Sequence, residues 1–301
     1  MTRNSRFSKI IFFSKTLRYA MLLLLPFLSI TTVADESSSP VNPIRVADIE
    51  VKDITVPAYY YQQVLKLALD KTIKEYGSYT LDYFNEHHTF SRLKRMVEAG
   101  DADIIWASLT PERKQKMQYI PVDLLKGYNN YRLLLISKKN QQAFKNIKNF
   151  ADFKQLLAGN GHNWTDSKIL RANGIEVATS VHYNYLVDML LIGRFDYISR
   201  GLHEIHNDID MFDQTYHTDL MIEQHLVLRY KHPIKYCFFV TRNNKILAER
   251  VERVERGLEI AEKDGSLLKL FKSIPSFKIG IEEMKKKRIE IFLDNSLVTK
   301  K

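Results

Sequence analysis

The sequence contains a single cysteine, Cys237, in 301 residues, so no disulfide can form within the chain and a metal site built on paired thiolates is excluded. Its setting in Tyr236-Cys237-Phe238-Phe239-Val240 predicts a buried strand thiol rather than a reactive one. Signature loops are missing as well. There is no Gly-x-Ser-x-Gly elbow, P-loop, dinucleotide fingerprint or kinase set. His203-Glu204-Ile205-His206 places two imidazoles three residues apart and His87-His88 adds another pair, but neither has zinc spacing. No metal and no cofactor is therefore expected, and His203 and His206 read as residues of a surface helix. After Ile30 no apolar run is long enough to cross a bilayer, which takes about 20 residues.

Acidic residues are outnumbered, 35 against 45 Lys and Arg, for a formal net charge of +10. Five of those cations, Arg3, Arg6, Lys9, Lys15 and Arg18, precede the apolar run Tyr19–Ile30, and no acid accompanies them. Basic residues, a short apolar core broken by Pro26 and small residues up to Ala34 form the pattern of a secretory leader over 1–34. Its retention as a membrane anchor is the competing reading. An exported chain has little access to nucleic acid, so no such partner is expected, and Lys285-Lys286-Lys287-Arg288 reads as a solvated helix face. Residues 35–43, polar and proline-bearing, read as a flexible start to the mature protein.

From Ile44 the chain alternates strand and helix. Ile44–Ile49, Thr80–Phe84 and Asp103–Trp106 read as strands; Tyr60–Tyr76 and Phe90–Ala99 read as helices, the second ended by Gly100. Arg132–Ser137 begins a second unit with the same grammar, including the Gly-rich Gly159-Asn160-Gly161, a helix Tyr183–Leu191 and a strand Phe195–Ser199. His225–Arg229 and Tyr236–Thr241 return the chain, and the periodic helix Lys245–Lys263 packs on the first unit. Such alternation predicts an α/β protein with largely parallel sheets. Thr110 followed by Pro111 suits the cap and first residue of a helix whose free N–H groups face an anion, and Arg113 adds a planar fork that fits a carboxylate.

The segment Gly100-Asp101-Ala102-Asp103-Ile104-Ile105-Trp106-Ala107-Ser108-Leu109-Thr110-Pro111-Glu112-Arg113 resembles the periplasmic solute-binding proteins of the amino-acid-binding type, bacterial extracellular solute-binding family three. Leu190–Tyr197, Phe238-Phe239-Val240 and Leu247–Leu270 are similar to that family in the same order, so the resemblance covers most of 44–275. It implies a type II periplasmic-binding-protein fold: two α/β lobes, 44–130 with 235–301 and 131–234, joined by two crossing strands and closing on a ligand. The tail 281–301 extends past the family's usual last helix, and its Leu293-Asp294-Asn295 is expected to lie back on the first lobe. In the family the arginine matching Arg113 grips the ligand's carboxylate and the residue at Ser108 donates a hydrogen bond. An acid then takes the ligand's ammonium from just beyond the strand matching Phe195–Ser199, where this chain reads Ser199-Arg200-Gly201. Arg200 therefore points to an anionic solute.

Tyr60, Trp106, His162 and Trp164 complete the expected ligand-binding set, the aromatic rings as surfaces for stacking on a planar ligand. The function that follows is periplasmic binding of a small polar, anionic solute by a monomer, without catalysis, for delivery to an ABC-type membrane importer. A sensory protein serving a membrane signalling partner is the alternative. A dehydratase-like enzyme, with Asp48, Glu50 or His162 as acid or base, is a third.

Overall fold

The computed structural model describes residues 43–216, 219–242 and 247–299. The leader read over 1–34 and the segment from 35 to 42 lie outside the described residues. Among the described residues twelve strands form two sheets. They are β1 (Ile44–Ile49), β2 (Leu81–Phe84), β3 (Ile104–Ser108), β4 (Gln118–Tyr119), β5 (Tyr131–Ser137), β6 (Ala158–Gly161), β7 (Val177–Ser180), β8 (Tyr197–Gly201), β9 (Leu220–Ile222), β10 (Leu226–Tyr230), β11 (Tyr236–Val240) and β12 (Ile289–Leu293). The first sheet runs β2-β1-β3-β11-β4; the second runs β12-β10-β5-β8-β6-β7, with β9 added on β5.

Both sheets are mixed, and among the described strands parallel and antiparallel pairs are equal in number rather than mostly parallel. β1 pairs in parallel with β2 and β3, but β11 is antiparallel to β3 and β4. In the second sheet β5 is antiparallel to β8, β9 and β10. The reason is that the returning strand β11 and the crossing strand β5 insert beside strands that helical crossovers had set the other way. Each sheet carries its own apolar core, Val46, Ile104 and Phe238 lying in one and Leu134, Tyr197 and Leu228 in another.

Helix Pro57–Lys71 starts three residues before the expected Tyr60, because Pro57 fits a first helical position. It packs on helix Leu247–Lys263 so closely that a Cβ on Gly257 would lie 1.9 Å from the carbonyl oxygen of Ala68. Alanine is intrinsically the better helix former by about 1 kcal/mol, yet forcing two backbones apart costs more. Gly257→Ala is expected to lower the unfolding free energy by about 1–3 kcal/mol in urea titration. A variant as stable as the parent would show that the helices can separate freely.

The tail does not lie on the first lobe. Strand β12 extends the second sheet, parallel to β10 from Leu226↔Ile289 to Tyr230↔Leu293. Helix Pro275–Lys285, which precedes it, bridges the lobes: Phe277 belongs to the first-lobe core, whereas Met284 packs against second-lobe residues and Glu283 faces His206 at 3.5 Å. The chain thus passes between the sheets three times rather than twice, at 120–130, 231–235 and 286–288. The first two passages border one cavity of about 690 Å³ through Tyr128 and Lys231, and Met284 and Phe292, on either side of the third, line it as well. The basic run at 285–288 is only partly a solvated face, since the Arg288 guanidinium is buried against Glu283 at 2.6 Å.

Candidate functional site

A cavity of about 390 Å³ lies between the lobes, with Ser108, Arg113 and Tyr236 on the first-lobe side and Trp164, Asp166, Arg200 and Glu204 on the second. The lobes touch around it. Arg113 Nη1 donates to Thr165 Oγ1 at 3.3 Å, Asn163 Nδ2 donates to Ser91 Oγ at 2.8 Å, and Lys168 Nζ meets Glu112 at 2.8 Å. Glu112 also binds Lys94, and the hydrogen bond from Lys168 is the main cause of a carboxyl pKa lowered to about 2.

Arg113 is positioned as its sequence suggested. Thr110 caps the helix Pro111–Lys116 by accepting from the Arg113 backbone N–H, Pro111 opens it, and the Arg113 side chain turns inward, only 8% of the residue remaining exposed. Its Nη1 also donates to the Ser108 carbonyl at 2.6 Å, while Nε is buried without a hydrogen-bond partner. Among the described residues no carboxylate lies within ion-pair distance of this guanidinium, and Glu112 beside it is taken by the two lysines. Burial works against its charge and lowers its pKa, yet an arginine remains protonated. A buried cation with an open hydrogen-bonding edge is the costliest group in the cavity to leave unpaired.

The second lobe supplies acids that the sequence reading had not found. Arg200 does not present a free cation to the cavity: Nε meets Asp208 at 2.5 Å, Nη1 meets Glu204 at 3.3 Å, and its Cζ lies 5.0 Å from the Trp164 ring and 4.7 Å from the Tyr183 ring. Burial alone would lower its pKa, but Asp208 and Glu204 more than offset this. Glu204 reaches the cavity wall as part of the turn that follows β8, and its Oε2 accepts from the Gly201 backbone N–H at 2.9 Å. Burial raises the Glu204 pKa, but Arg200, His203, Arg132 and that N–H together hold it down to about 2. Asp166 is similarly fixed, accepting from Arg132 Nε at 2.5 Å and from the Tyr230 hydroxyl.

Of the seven expected residues the cavity collects Ser108, Arg113, Trp164 and Arg200. Tyr60 is core: its ring packs on Phe277 with centroids 4.6 Å apart and its hydroxyl donates to the Leu124 carbonyl at 2.7 Å. Trp106 is core as well, stacked on Tyr61 at 5.4 Å and outside the cavity wall. His162 lies in an adjoining cavity of about 190 Å³, its Nδ1 3.2 Å from Thr179 Oγ1. Trp164 owes its place to Gly161, where a Cβ would stand 2.3 Å from the indole ring. Nor is His203 a surface residue. It precedes the helix Ile205–Tyr216, stacks on Phe277 at 4.8 Å and shares a hydrogen bond of 3.0 Å with the Tyr61 hydroxyl.

No family model matches the chain, and no curated protein is significantly similar to it in sequence. Solved structures are similar in fold. The GluR0 ligand-binding core in complex with L-glutamate matches 78% of this chain and 99% of its own length at 13% identity, with a TM-score of 0.57. A histidine kinase sensor domain with similarity to periplasmic binding proteins matches 78% and 96% at 14% identity and a TM-score of 0.55. The arginine-, lysine-, histidine-binding protein ArtJ from Geobacillus stearothermophilus matches 78% and 95% at 13% identity and a TM-score of 0.54. The chain has the two-lobed α/β fold of the type II periplasmic binding proteins, with mixed sheets.

Proposed function

We propose that the protein binds a small carboxylate-bearing solute in the cleft between its lobes, outside the cytoplasmic membrane, and delivers it to a membrane importer of the ABC type. The observation that carries this reading is Arg113: buried, capped into place and, among the described residues, without an anion of its own, opposite a wall that carries Glu204 and Asp166. A carboxylate on the Arg113 fork completes its hydrogen bonds, and a cationic group of the same ligand meets Glu204 across the cavity. The purely anionic solute expected from Arg200 loses its argument, because Asp208 and Glu204 already neutralise that guanidinium. A zwitterion leaves the charge of the site unchanged; a dianion does not. The leader pattern over 1–34 supports export. The similar solved structures bound to amino acids support the ligand class.

The test is a thermal-shift screen with the twenty free amino acids and with short dicarboxylates, followed by calorimetry. A ligand at 100 times its Kd stabilises the folded state by about 2.7 kcal/mol. Arg113→Ala is expected to weaken binding of any compound found by roughly 2–5 kcal/mol, the cost of truncating one partner of a buried charge pair. Equal binding by Arg113→Ala would remove the carboxylate assignment. A wild-type protein that responds to no compound in the screen would remove the functional reading.

A further inference from the structure

The cavity of about 690 Å³ beside the passages between the lobes is separate from the interlobe site, and the two share no lining residue. In β5 the alternation of a strand sends Tyr131 to the first and Arg132 to the second. The larger cavity draws its wall from several parts of the chain: Lys126 and Tyr128 come from the passage at 120–130, Arg229 from β10, Met284 from helix Pro275–Lys285 and Phe292 from β12. Its volume falls in the range of about 300–1,000 Å³ that small-molecule sites occupy.

The charge of this wall has one sign. Three cations, Lys126, Arg229 and Lys231, stand among its lining residues and no carboxylate does. Glu262 meets Lys126 at 2.6 Å and Glu290 meets Arg229 at 2.9 Å, both from outside the wall. Lys231 has no ion pair among the described residues, so three positive charges face two negative ones and one is left over. Arg229 donates to Glu290 from Nη1, and among the described residues its Nε and Nη2 have no hydrogen-bond partner.

Much of the remaining wall is aromatic. Tyr128, Tyr131, Tyr230 and Phe292 all contribute, and Arg229 Cζ lies 5.3 Å from the Tyr131 ring and 5.5 Å from the Phe292 ring. Phe292 is 45% exposed, a large apolar side chain held beside a guanidinium rather than in a core. A ligand with one ring and one carboxylate meets both demands: the ring packs on the aromatic wall, and the carboxylate takes the free donors of Arg229 and Lys231. We propose that this cavity is a second ligand site, apart from the cleft, for a small aromatic monoanion. The surplus positive charge sets the charge of the ligand and the rings set its shape. The assignment does not rest on the reading of the cleft. Tyr230 joins the two sites, since its ring lines the one and its hydroxyl donates to Asp166 in the wall of the other.

The probe is benzoate, titrated calorimetrically into the full chain at low ionic strength, with benzamide as the uncharged comparison and cyclohexanecarboxylate as the non-aromatic one. Benzoate is expected to bind wild type and Arg113→Ala equally, because Arg113 lies in the other cavity. Phe292→Ala and Arg229→Gln are each expected to weaken it about tenfold, the first by removing a ring contact and the second by removing a charged donor. Neither side chain is buried, so both variants are expected to fold. Benzamide and cyclohexanecarboxylate are expected to bind at least about tenfold more weakly than benzoate. Binding that is lost in Arg113→Ala and unchanged in Phe292→Ala and Arg229→Gln would make benzoate a ligand of the cleft and overturns the second site. Absence of benzoate binding by wild type at millimolar concentration overturns it too. Equal binding of benzamide or of cyclohexanecarboxylate overturns the ligand class.

Discussion

Asp208→Ala is expected to lower the unfolding free energy by about 3 kcal/mol, the low end of the range for breaking a buried ion pair from one side. Arg200 and Asp208 are both largely buried, with 12% and 9% of their side chains exposed, and two hydrogen bonds join them. Removing Asp208 strands the guanidinium against Trp164 and Tyr183 with only Glu204 nearby, and deprives the Tyr183 hydroxyl of its acceptor at 2.8 Å. For a chain of this size the loss corresponds to a fall in Tm of roughly 6–12 °C. Asp210→Ala, at an exposed position of the same helix, is the control and is expected to be near neutral. Equal stability of the two variants would contradict the assignment. The double change Arg200→Met with Asp208→Leu is expected to recover much of the loss, because the desolvated charges leave together. It would also free Glu204 from the group that fixes it, so restored stability without restored ligand affinity separates the scaffold from the site.

His203 gives the second large effect. Burial holds its imidazole neutral, with a pKa lowered to about 4 from the ordinary 6.5. The unfolded chain takes up a proton below 6.5 that the folded chain refuses until about 4, so stability is complete above 6.5 and is lost as pH falls through that window. The loss amounts to about 3 kcal/mol. Glu204, held near 2, extends the decline below the ordinary carboxyl range in the same direction, since protonation removes its attraction to Arg200. Urea unfolding at pH 7 and pH 4 is expected to show this fall in wild type and a clearly smaller one in His203→Gln, whose amide can still accept from the Tyr61 hydroxyl. An undiminished fall in His203→Gln would assign the acid sensitivity elsewhere.

Local signals made much of the fold legible. Helix Tyr183–Leu191 lies where its periodicity placed it, and Thr110 with Pro111 opened a helix because capping and a fixed φ depend on neighbours in the chain. The site was harder to read, since its members meet only after folding. Tyr60 and Trp106 are aromatic residues near the expected cleft, but ring chemistry alone does not say which side of a sheet a ring covers, and both serve the core. Glu204 was missed for a different reason. The acid was sought directly beyond the strand, at Ser199-Arg200-Gly201, whereas β8 runs on to Gly201 and the turn that follows delivers Glu204 back to the cavity. Extending the search by one turn would have found it. No comparable signal marks Arg132, which opens an apolar strand and becomes a wall residue only through Asp166 and Asn129.

Three covalent tethers between two bodies leave fewer ways to move than two. Rotation of one lobe about its own long axis would have to stretch the β10–β12 pairing or drag helix Pro275–Lys285 off Tyr60 and Phe271. What is left is a swing like that of a door on three pins, in which the seam at Ser91–Asn163 and Glu112–Lys168 travels farthest while the pins scarcely shift. Under the proposed function, such a swing would open the cleft to its solute from one end only.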